Sequence, residues 1–267
     1  MSVEAERGYL IIAQNNSHTD YIGCACVLAR SIKALQPDAE ICLLSDQEIT
    51  NPVFDFVRTF PFGDRAQDVE WKLHNDWQCF YASPFRETIK LEADMILPVS
   101  IQHWFDICCQ RELVVTIGAR NYLNDRSRVR TYRKIFDENH LPDVYNAITY
   151  WRRSNEAREF FDTVREIFEN WPEVMALLKY GKDQPVNTDL AYAIAMMMLG
   201  PDRYILPGDV PGIIHMKSAI NGAQEEDWTR EFVWEKIDQS LRINTVQSLW
   251  PVHYHIKDFA RKIDNEL

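Results

Sequence analysis

Residues 8–46 constrain the fold more than any other part of the chain. They contain two short apolar runs, GYLIIAQNN and EICLLSD, and each run ends in polar residues, as the inner strands of a parallel sheet do. Between the runs, apolar residues recur at helical spacing from Tyr21 to Leu35, and Pro37 follows. A strand–helix–strand unit of this kind joins parallel strands by a right-handed crossover. We therefore predict an α/β fold with a mostly parallel central sheet flanked by helices.

Three further strands and two further helices are predicted after this unit. LEADMIL, ELVVTIGA and VYNAITYW have strand-like apolar patterns, residues 154–171 form an amphipathic helix, and residues 184–199 form a more buried one. The chain of 267 residues shows no internal repeat, no low-complexity tract and no long linker. We therefore expect one domain that spans residues 1–267.

The composition excludes several classes of protein. Hydrophobic residues make up 46% of the chain and charged residues 26%, as in ordinary globular proteins. The net charge of −11 argues against a general nucleic-acid coat or a membrane-surface binder. The 6 cysteines form no C-x-x-C pair, which is typical of reduced cytoplasmic thiols. The stretch MSVEAERGYL lacks the pattern of a signal peptide, and the longest apolar run, residues 190–199, is too short to span a bilayer. We expect a cytoplasmic protein without a membrane partner.

Polar side chains follow three of the predicted strands and indicate where a ligand binds. Ligands of open parallel sheets bind beyond the carboxyl ends of the strands, and the residues there are Gln14, Asn15, Asp46, Glu92 and Asp94. The sequence has neither a G-x-G-x-x-G nor a G-x-x-x-x-G-K-[ST] motif, so dinucleotide and P-loop sites are not predicted. A site that binds phosphates without a glycine-rich loop commonly does so through a metal ion. The carboxylates of Glu92 and Asp94 are suitable ligands for such an ion, although a carboxylate pair can also be a solvated strand end.

Six short motifs occur in an order that resembles the GT-A fold, Rossmann-like nucleotide-sugar glycosyltransferases, specifically the glycogenin-like family 8 enzymes. The motifs cover most of the chain and are TDYIGCACVLARSIKALQPDAEICLLSD, WKLHNDW, LEADMILPVSIQHWFD, VYNAITYW, GKDQPVNTDL and GIIHMKSAING. The third of these resembles the D-x-D strand of the family, which binds the metal. The resemblance implies a nucleotide-binding half in residues 8–118 and an acceptor-side half with the C-terminal tail in residues 119–267.

The resemblance also implies roles for individual residues around the donor. Tyr21 corresponds to a tyrosine near the uracil of a UDP-sugar, and Lys72 to a lysine that contacts the donor. Lys217, two residues after a histidine that the family uses as a ligand, is our candidate for a further donor contact. On the sugar side, Asn146 corresponds to the sugar-facing asparagine of the F-N-S-G-V strand and is a predicted catalytic residue. These positions imply a hexosyl- or pentosyltransferase that takes a UDP-sugar.

The catalytic and metal positions follow from the last two motifs. Asp183 and Gln184 correspond to residues under the donor sugar, although they can equally cap the helix that follows them. His215 corresponds to the third metal ligand, beside Glu92 and Asp94, and its alternative role is that of a buried core histidine. An imidazole in the ligand set favours Mn²⁺ over Mg²⁺. The family resemblance implies that the anomeric configuration is retained.

The sequence departs from the family pattern at several of these positions. The D-x-D motif is E-x-D, and the serine and glycine that follow the asparagine are Ala147 and Ile148. The histidine motif lacks the K-P-W ending, and PVHYHIKDFARK offers His253 or His255 as a competing ligand. If these departures abolish catalysis, the chain is a nucleotide-sugar-binding module without activity.

A cluster of basic residues separates the metal-binding strand from the sugar-facing strand. The interval contains Arg120, Arg126, Arg128, Arg130, Arg133 and Lys134, and Arg152 and Arg153 follow the next strand. Arginines among tyrosines suit a nucleic-acid backbone and an unstacked base. Some viruses glycosylate hydroxymethylated DNA bases, so a viral, DNA-modifying member that acts in the host cytoplasm is one interpretation, with Arg126, Arg128 and Arg130 as the acceptor-binding residues. A protein or glycan acceptor, or a solvated helix face, fits the cluster equally well.

Overall fold

The computed structural model of the protein describes residues 3–127, 133–208, 210–237 and 240–264. Its strands are β1 Ala5–Ile12, β2 Ile41–Leu44, β3 Phe56–Arg58, β4 Phe85–Glu92, β5 Met95–Ile96, β6 Leu113–Ile117, β7 Val144–Arg152, β8 Ile214–Met216, β9 Trp234–Ile237, β10 Ser240–Ile243, β11 Val246–Gln247 and β12 Val252–Tyr254. Its helices are α1 Tyr21–Leu35, α2 Cys79–Ala82, α3 Trp104–Cys108, α4 Lys134–Glu138, α5 Asn155–Glu169, α6 Trp171–Ala176, α7 Thr188–Leu199, α8 Ser218–Asn221 and α9 Asp258–Asp264.

The central sheet has the strand order β3-β2-β1-β4-β7-β6. β1 pairs in parallel with β2 and with β4, and β2 pairs in parallel with β3, whereas β7 runs antiparallel to β4 and β6. The register places Ile12 of β1 beside Glu92 of β4. The predicted α/β fold with a mostly parallel central sheet flanked by helices is therefore confirmed.

The apolar runs of the sequence form strands that are buried on both faces. In β1, Ile11 belongs to the hydrophobic core on one side of the sheet, with α1, while its neighbour Leu10 belongs to the core on the other side, with α5 and α7. Asp20 begins α1 by accepting a hydrogen bond from the backbone N–H of Gly23 at 2.9 Å. Because helices cover both faces of the sheet, the side formed by the carboxyl ends of β1, β2 and β4 remains open.

A small second sheet returns the C-terminal part of the chain to this edge. β12 pairs antiparallel with β5 and parallel with β8, and β5 follows β4 after the turn that contains Asp94. In this register His253 lies beside both Met95 and His215. The backbone N–H of Tyr254 donates to the carbonyl oxygen of Asp94 at 3.0 Å. The second sheet thereby brings two histidines to the end of β4.

No helix within the described ranges is long and apolar enough to cross a membrane. All six cysteines are free thiols. The predicted division into residues 8–118 and residues 119–267 within one domain stays a prediction.

Candidate active site

Glu92, Asp94 and His253 form a cluster at the carboxyl end of β4. The Nε2 atom of His253 lies 3.3 Å from Oε2 of Glu92 and 3.2 Å from Oδ2 of Asp94. One potential ligand atom from each of the three residues lies within 4.8 Å of the other two. Two carboxylate oxygens and one imidazole nitrogen are a donor set that suits a divalent ion such as Mn²⁺. The residues present therefore fit the metal that the sequence predicts.

Lys257 forms an ion pair with Asp94 at the edge of this cluster. Its ammonium group also donates to the carbonyl oxygen of Tyr254 at 3.3 Å and lies 5.7 Å from the centre of the Tyr21 ring. Burial by itself would raise the pKa of Asp94, but the charges and hydrogen bonds of Lys257 and His253 hold it well below its usual range. Asp94 is therefore ionised and available to a cation at neutral pH.

The pKa of Glu92 is shifted in the opposite direction, above its usual value. Burial is the largest cause, and together with the nearby charge of Asp94 it raises the pKa of Glu92 to about 7, although His253 and Lys90 oppose the change. Two carboxylates in a small volume repel each other when both are ionised. A divalent cation between them would favour the ionised form of both.

His215 lies behind His253 rather than against the carboxylates. The two Nδ1 atoms are 3.0 Å apart. Burial and then the charge of His253 lower the pKa of His215 well below its usual value, so this imidazole is neutral. If His253 presents Nε2 to a cation, its Nδ1 carries the proton and donates to Nδ1 of His215. The geometry thus favours His253, an alternative that the sequence left open, as the third ligand and His215 as the residue that orients it.

Two cavities meet at the cluster of Glu92, Asp94 and His253. The larger, of about 390 Å³, extends over the ends of β1 and β4 and is lined by the predicted donor residues Gln14, Tyr21 and Lys72. The smaller, of about 240 Å³, lies between β7, α7 and β8. Glu92 and His253 line both, so a ligand held at the cluster can extend into either cavity.

No protein-family model matches the sequence, and the comparison with curated proteins gives no match either. Solved structures do match. The galactosyltransferase LgtC, in complex with donor and acceptor sugar analogues, is 13% identical, with a TM-score of 0.53 over 97% of this chain and 96% of that chain. Xyloside xylosyltransferase 1 from mouse, in its apo form, is 10% identical, with a TM-score of 0.52 over 94% of this chain and 98% of that chain. The chain has the GT-A fold of these glycosyltransferases.

Within this GT-A fold, three of the predicted donor residues, Asn15, Asp46 and Lys217, lie outside the larger cavity. The side chain of Asn15 accepts a hydrogen bond from the backbone N–H of Ile22 at 2.9 Å, so it stabilises the first turn of α1. Asp46 lines a separate cavity of about 450 Å³, which also contacts Lys72. Lys72 donates to two backbone carbonyl oxygens, of Ala66 and Gln67, at 2.7 and 3.0 Å. Lys72 therefore lines both cavities and holds the backbone at residues 66–67 through these hydrogen bonds.

Asn146, Gln184, His215 and Lys217 line the smaller cavity. Asn146 and Gln184 are predicted to lie on the sugar side, whereas His215 is predicted as a metal ligand and Lys217 as a donor contact. The side-chain amide of Gln184 donates to the carbonyl oxygen of Tyr180 at 3.1 Å. Asp183 is exposed and does not line either cavity in this conformation. The catalytic roles of Asp183, Gln184 and Asn146 stay predictions.

Sequence reasoning missed the ion pair between Arg133 and Asp189 in the smaller cavity. Arg133 is 3% exposed, and its guanidinium contacts Asp189 at 2.8 Å and Asp143 at 3.0 Å. The other oxygen of Asp189 accepts the backbone N–H of Asn146 at 2.8 Å. The only sequence signal was an acidic residue in the first turn of α7, which is common at helix starts without any further role.

The structure separates the members of the basic cluster. Arg128 and Arg130 lie outside the described residues, so their predicted contact with an acceptor has no structural account. Arg126 is exposed, in a backbone bridge with Arg120. Others are engaged within the protein, since Arg152 pairs with Glu112, Arg153 donates to a backbone carbonyl, and Lys134 lies 3.8 Å from the centre of the Tyr180 ring.

Proposed function

We propose that the protein is a metal-dependent glycosyltransferase that transfers a sugar from a nucleotide sugar, a UDP-sugar, to a hydroxyl acceptor. The observation that carries the proposal is the cluster of Glu92, Asp94 and His253 at the junction of two cavities. One cavity is large enough for a nucleotide and the other for a sugar or an acceptor group. The GT-A fold supports this proposal.

The chain's own residues have distinct roles in this reaction. Glu92, Asp94 and His253 would hold the divalent ion, Mn²⁺ being the best fit, and His215 would keep His253 in the tautomer that presents Nε2. Such an ion neutralises the charge that develops on the leaving diphosphate. Lys257 lies beside the same site and would add positive charge to the diphosphate. Lys217 lines the smaller cavity. We therefore choose Lys257 instead of Lys217 as the candidate for the contact with the diphosphate.

The remaining predicted residues divide between the two substrates. Tyr21 and Gln14 line the donor cavity, where an aromatic ring can stack on the base. Asn146 and Gln184 face the smaller cavity, and we place the reacting carbon of the sugar between them and the metal. Retention of the anomeric configuration remains part of this proposal.

The donor and the metal are tested together by thermal unfolding. We expect Mn²⁺ and UDP or a UDP-sugar, added together, to raise the melting temperature more than either does alone, because a ligand present at 100 times its dissociation constant adds about 2.7 kcal/mol of stability. Slow Mn²⁺-dependent hydrolysis of the stabilising UDP-sugar would distinguish an enzyme from a binding module. If UDP and a panel of UDP-sugars give no stabilisation with Mn²⁺ or Mg²⁺, the proposed function is wrong.

A further inference from the structure

A fully buried lysine lies two residues before the metal-binding Glu92. Lys90 of β4 is 0% exposed, and its ammonium group forms an ion pair with Asp76, whose side chain is 6% exposed. Burying two charges carries a large desolvation cost, and apolar side chains of the same size often give equal or greater stability. The contribution of this pair to stability therefore does not by itself explain its presence beside the site.

Asp76 is the centre of a hydrogen-bonded network. One carboxylate oxygen contacts Lys90, and the other accepts from the hydroxyl of Tyr192 at 2.6 Å and from the amide of Asn146 at 3.3 Å. The amide oxygen of Asn146 in turn accepts from the hydroxyl of Thr149 at 3.0 Å. These contacts fix both the carboxylate and the amide in one orientation.

The network connects the two cavities. Asp76 lines the larger cavity together with Glu92 and Asp94, whereas Asn146 lines the smaller cavity together with Glu92. The hydrogen bond between Asp76 and Asn146 therefore joins the walls of the two cavities, both of which Glu92 also lines. The sugar of a nucleotide sugar must lie where the two cavities meet, because it is attached to the diphosphate and has to meet the acceptor.

The Asp76 carboxylate retains the capacity to bind a ligand. A carboxylate offers about four acceptor sites, and three donors reach this one within the parts of the chain that the structure describes. The ammonium group of Lys90 lies against one oxygen of this carboxylate and compensates its negative charge within the buried network. An ionised carboxylate repels phosphate but binds hydroxyl groups more strongly than a neutral acceptor does.

We propose that Asp76, held in place by Lys90, Tyr192 and Asn146, accepts a hydrogen bond from a hydroxyl group of the donor sugar and thereby helps to select the sugar. This inference rests on the proposed function, because it needs a nucleotide sugar in the larger cavity. It assigns the sugar contact to the turn that precedes α2, in addition to the predicted residues near α7.

The test compares binding of UDP with binding of a UDP-sugar. Asp76→Asn alone leaves the buried charge of Lys90 without a partner, so the main variant combines Asp76→Asn with Lys90→Met, which removes both charges and keeps both shapes. The matched control is Glu87→Gln, at the other end of β4. Glu87 is also a buried carboxylate that accepts from an arginine and a tyrosine, Arg7 at 3.1 Å and Tyr150 at 3.2 Å.

Calorimetry with Mn²⁺ would give the dissociation constants of UDP and of the UDP-sugar that the parent protein prefers among UDP-glucose, UDP-galactose, UDP-N-acetylglucosamine and UDP-xylose. We expect the double variant to bind UDP as the parent does and to bind the UDP-sugar about 10- to 100-fold more weakly, the effect of losing a hydrogen bond to a charged group. The control should bind both ligands as the parent does. In monodeoxyfluoro analogues, fluorine replaces one hydroxyl group of the sugar. The analogue without the hydroxyl that Asp76 binds should bind the parent and the double variant with equal affinity.

Each outcome separates the two proposals. Equal weakening of UDP and UDP-sugar binding would show that the pair only maintains the structure and would overturn the inference. Unchanged binding of both ligands in the double variant would overturn it as well, while leaving the proposed function intact. If the parent protein itself binds neither UDP nor a UDP-sugar in the presence of Mn²⁺, the proposed function fails and the inference falls with it.

Discussion

At the scale of single residues, the candidate site depends on charges that are held close together in a mostly buried place. Asp94 has a pKa well below its usual range, although burial opposes this, because Lys257 and His253 stabilise its ionised form, whereas burial raises the pKa of its neighbour Glu92 to about 7. Asp94 is thus ionised at neutral pH, whereas Glu92 titrates near neutral pH, and a cation beside it would favour its ionised form. The two carboxylates should therefore differ in how much substitution they tolerate.

Asp94→Ala is expected to remove Mn²⁺-dependent donor binding. It should also lower turnover by at least about 100-fold, because a preorganised electrostatic group is lost. Glu92→Asp should retain more activity than Glu92→Ala, since it keeps a carboxylate and restores the commoner D-x-D motif. Mn²⁺ titration by calorimetry and hydrolysis of the UDP-sugar measure the two effects. Normal turnover in the Asp94→Ala variant would refute the metal assignment.

His253 of the cluster and the nearby His215 and His255 should differ in their effect on metal affinity. We expect His253→Ala to weaken Mn²⁺ binding most. His215→Ala should cost about 10- to 100-fold, as is typical of residues that orient a ligand, and His215→Gln should recover part of this, because its amide can still accept a hydrogen bond from Nδ1 of His253. His255→Ala should have little effect on binding of the metal alone.

Selective ¹⁵N-histidine labelling with pulsed electron paramagnetic resonance of bound Mn²⁺ would identify the coordinating imidazole directly. Loss of the imidazole signal in His215→Ala, together with its retention in His253→Ala, would restore His215 as the third ligand and remove the orienting role.

At the scale of secondary-structure elements, the start of α7 is attached to β7 through one side chain. Asp189 accepts the backbone N–H of Asn146 and pairs with the buried Arg133. The guanidinium of Arg133 also lies 3.7 Å from the centre of the Phe136 ring and 4.2 Å from that of Tyr145. These contacts position the wall of the smaller cavity, so we expect the wall to loosen when the Asp189 charge is removed.

Asp189→Asn should lower the free energy of unfolding by about 1–3 kcal/mol, because it replaces the carboxylate that accepts a hydrogen bond from the buried guanidinium of Arg133 with a neutral amide. Denaturant unfolding measures this change. Glu112→Gln is a suitable control, since Glu112 pairs with Arg152 but both side chains are about one-third exposed, and the loss should stay below about 1 kcal/mol. Equal effects of the two substitutions would show that the Arg133–Asp189 pair has no special structural role.

At the scale of the whole molecule, the acceptor depends on how positive charge is distributed in a chain with a net charge of −11. Arg133, Arg152 and Arg153 form ion pairs or hydrogen bonds with other residues of the chain, so the predicted nucleic-acid contact rests mainly on residues 126–130. The hydroxymethylated DNA acceptor stays a prediction beside the glycan and protein alternatives.

If the acceptor is DNA, replacing Arg126, Arg128 and Arg130 with glutamine should raise the apparent KM for DNA and flatten its salt dependence. Each phosphate contact on duplex DNA contributes about −0.9 to the slope of log affinity against log salt. Donor hydrolysis should remain unchanged, because the metal cluster is untouched. We would measure transfer to hydroxymethylated DNA and to a neutral glycan across a salt series. Transfer that does not depend on salt would exclude the DNA acceptor.

The sequence by itself determined the sheet-based fold and the strand ends at which the candidate site lies. Apolar runs, helical periodicity and the order of strand and helix are local features, and they predicted the unit over residues 8–46 correctly. The location of Glu92 and Asp94 followed for the same reason, because the carboxyl ends of parallel strands meet at one edge of the sheet. The sequence also offered His253 as an alternative metal ligand, but it could not decide between His253 and His215.

Only the tertiary structure decided which side chains share that edge. His253 and Lys257 reach Asp94 from more than 150 residues away, because β12 pairs with β5 and β8, and no local pattern specifies such a pairing. Arg133 looks like part of an exposed basic cluster until Asp143 and Asp189 surround it, and Lys90 looks like the solvent-facing residue of a strand until Asp76 compensates its charge. A buried charge is stable only beside its partner, and the partner is known only once the chain has folded.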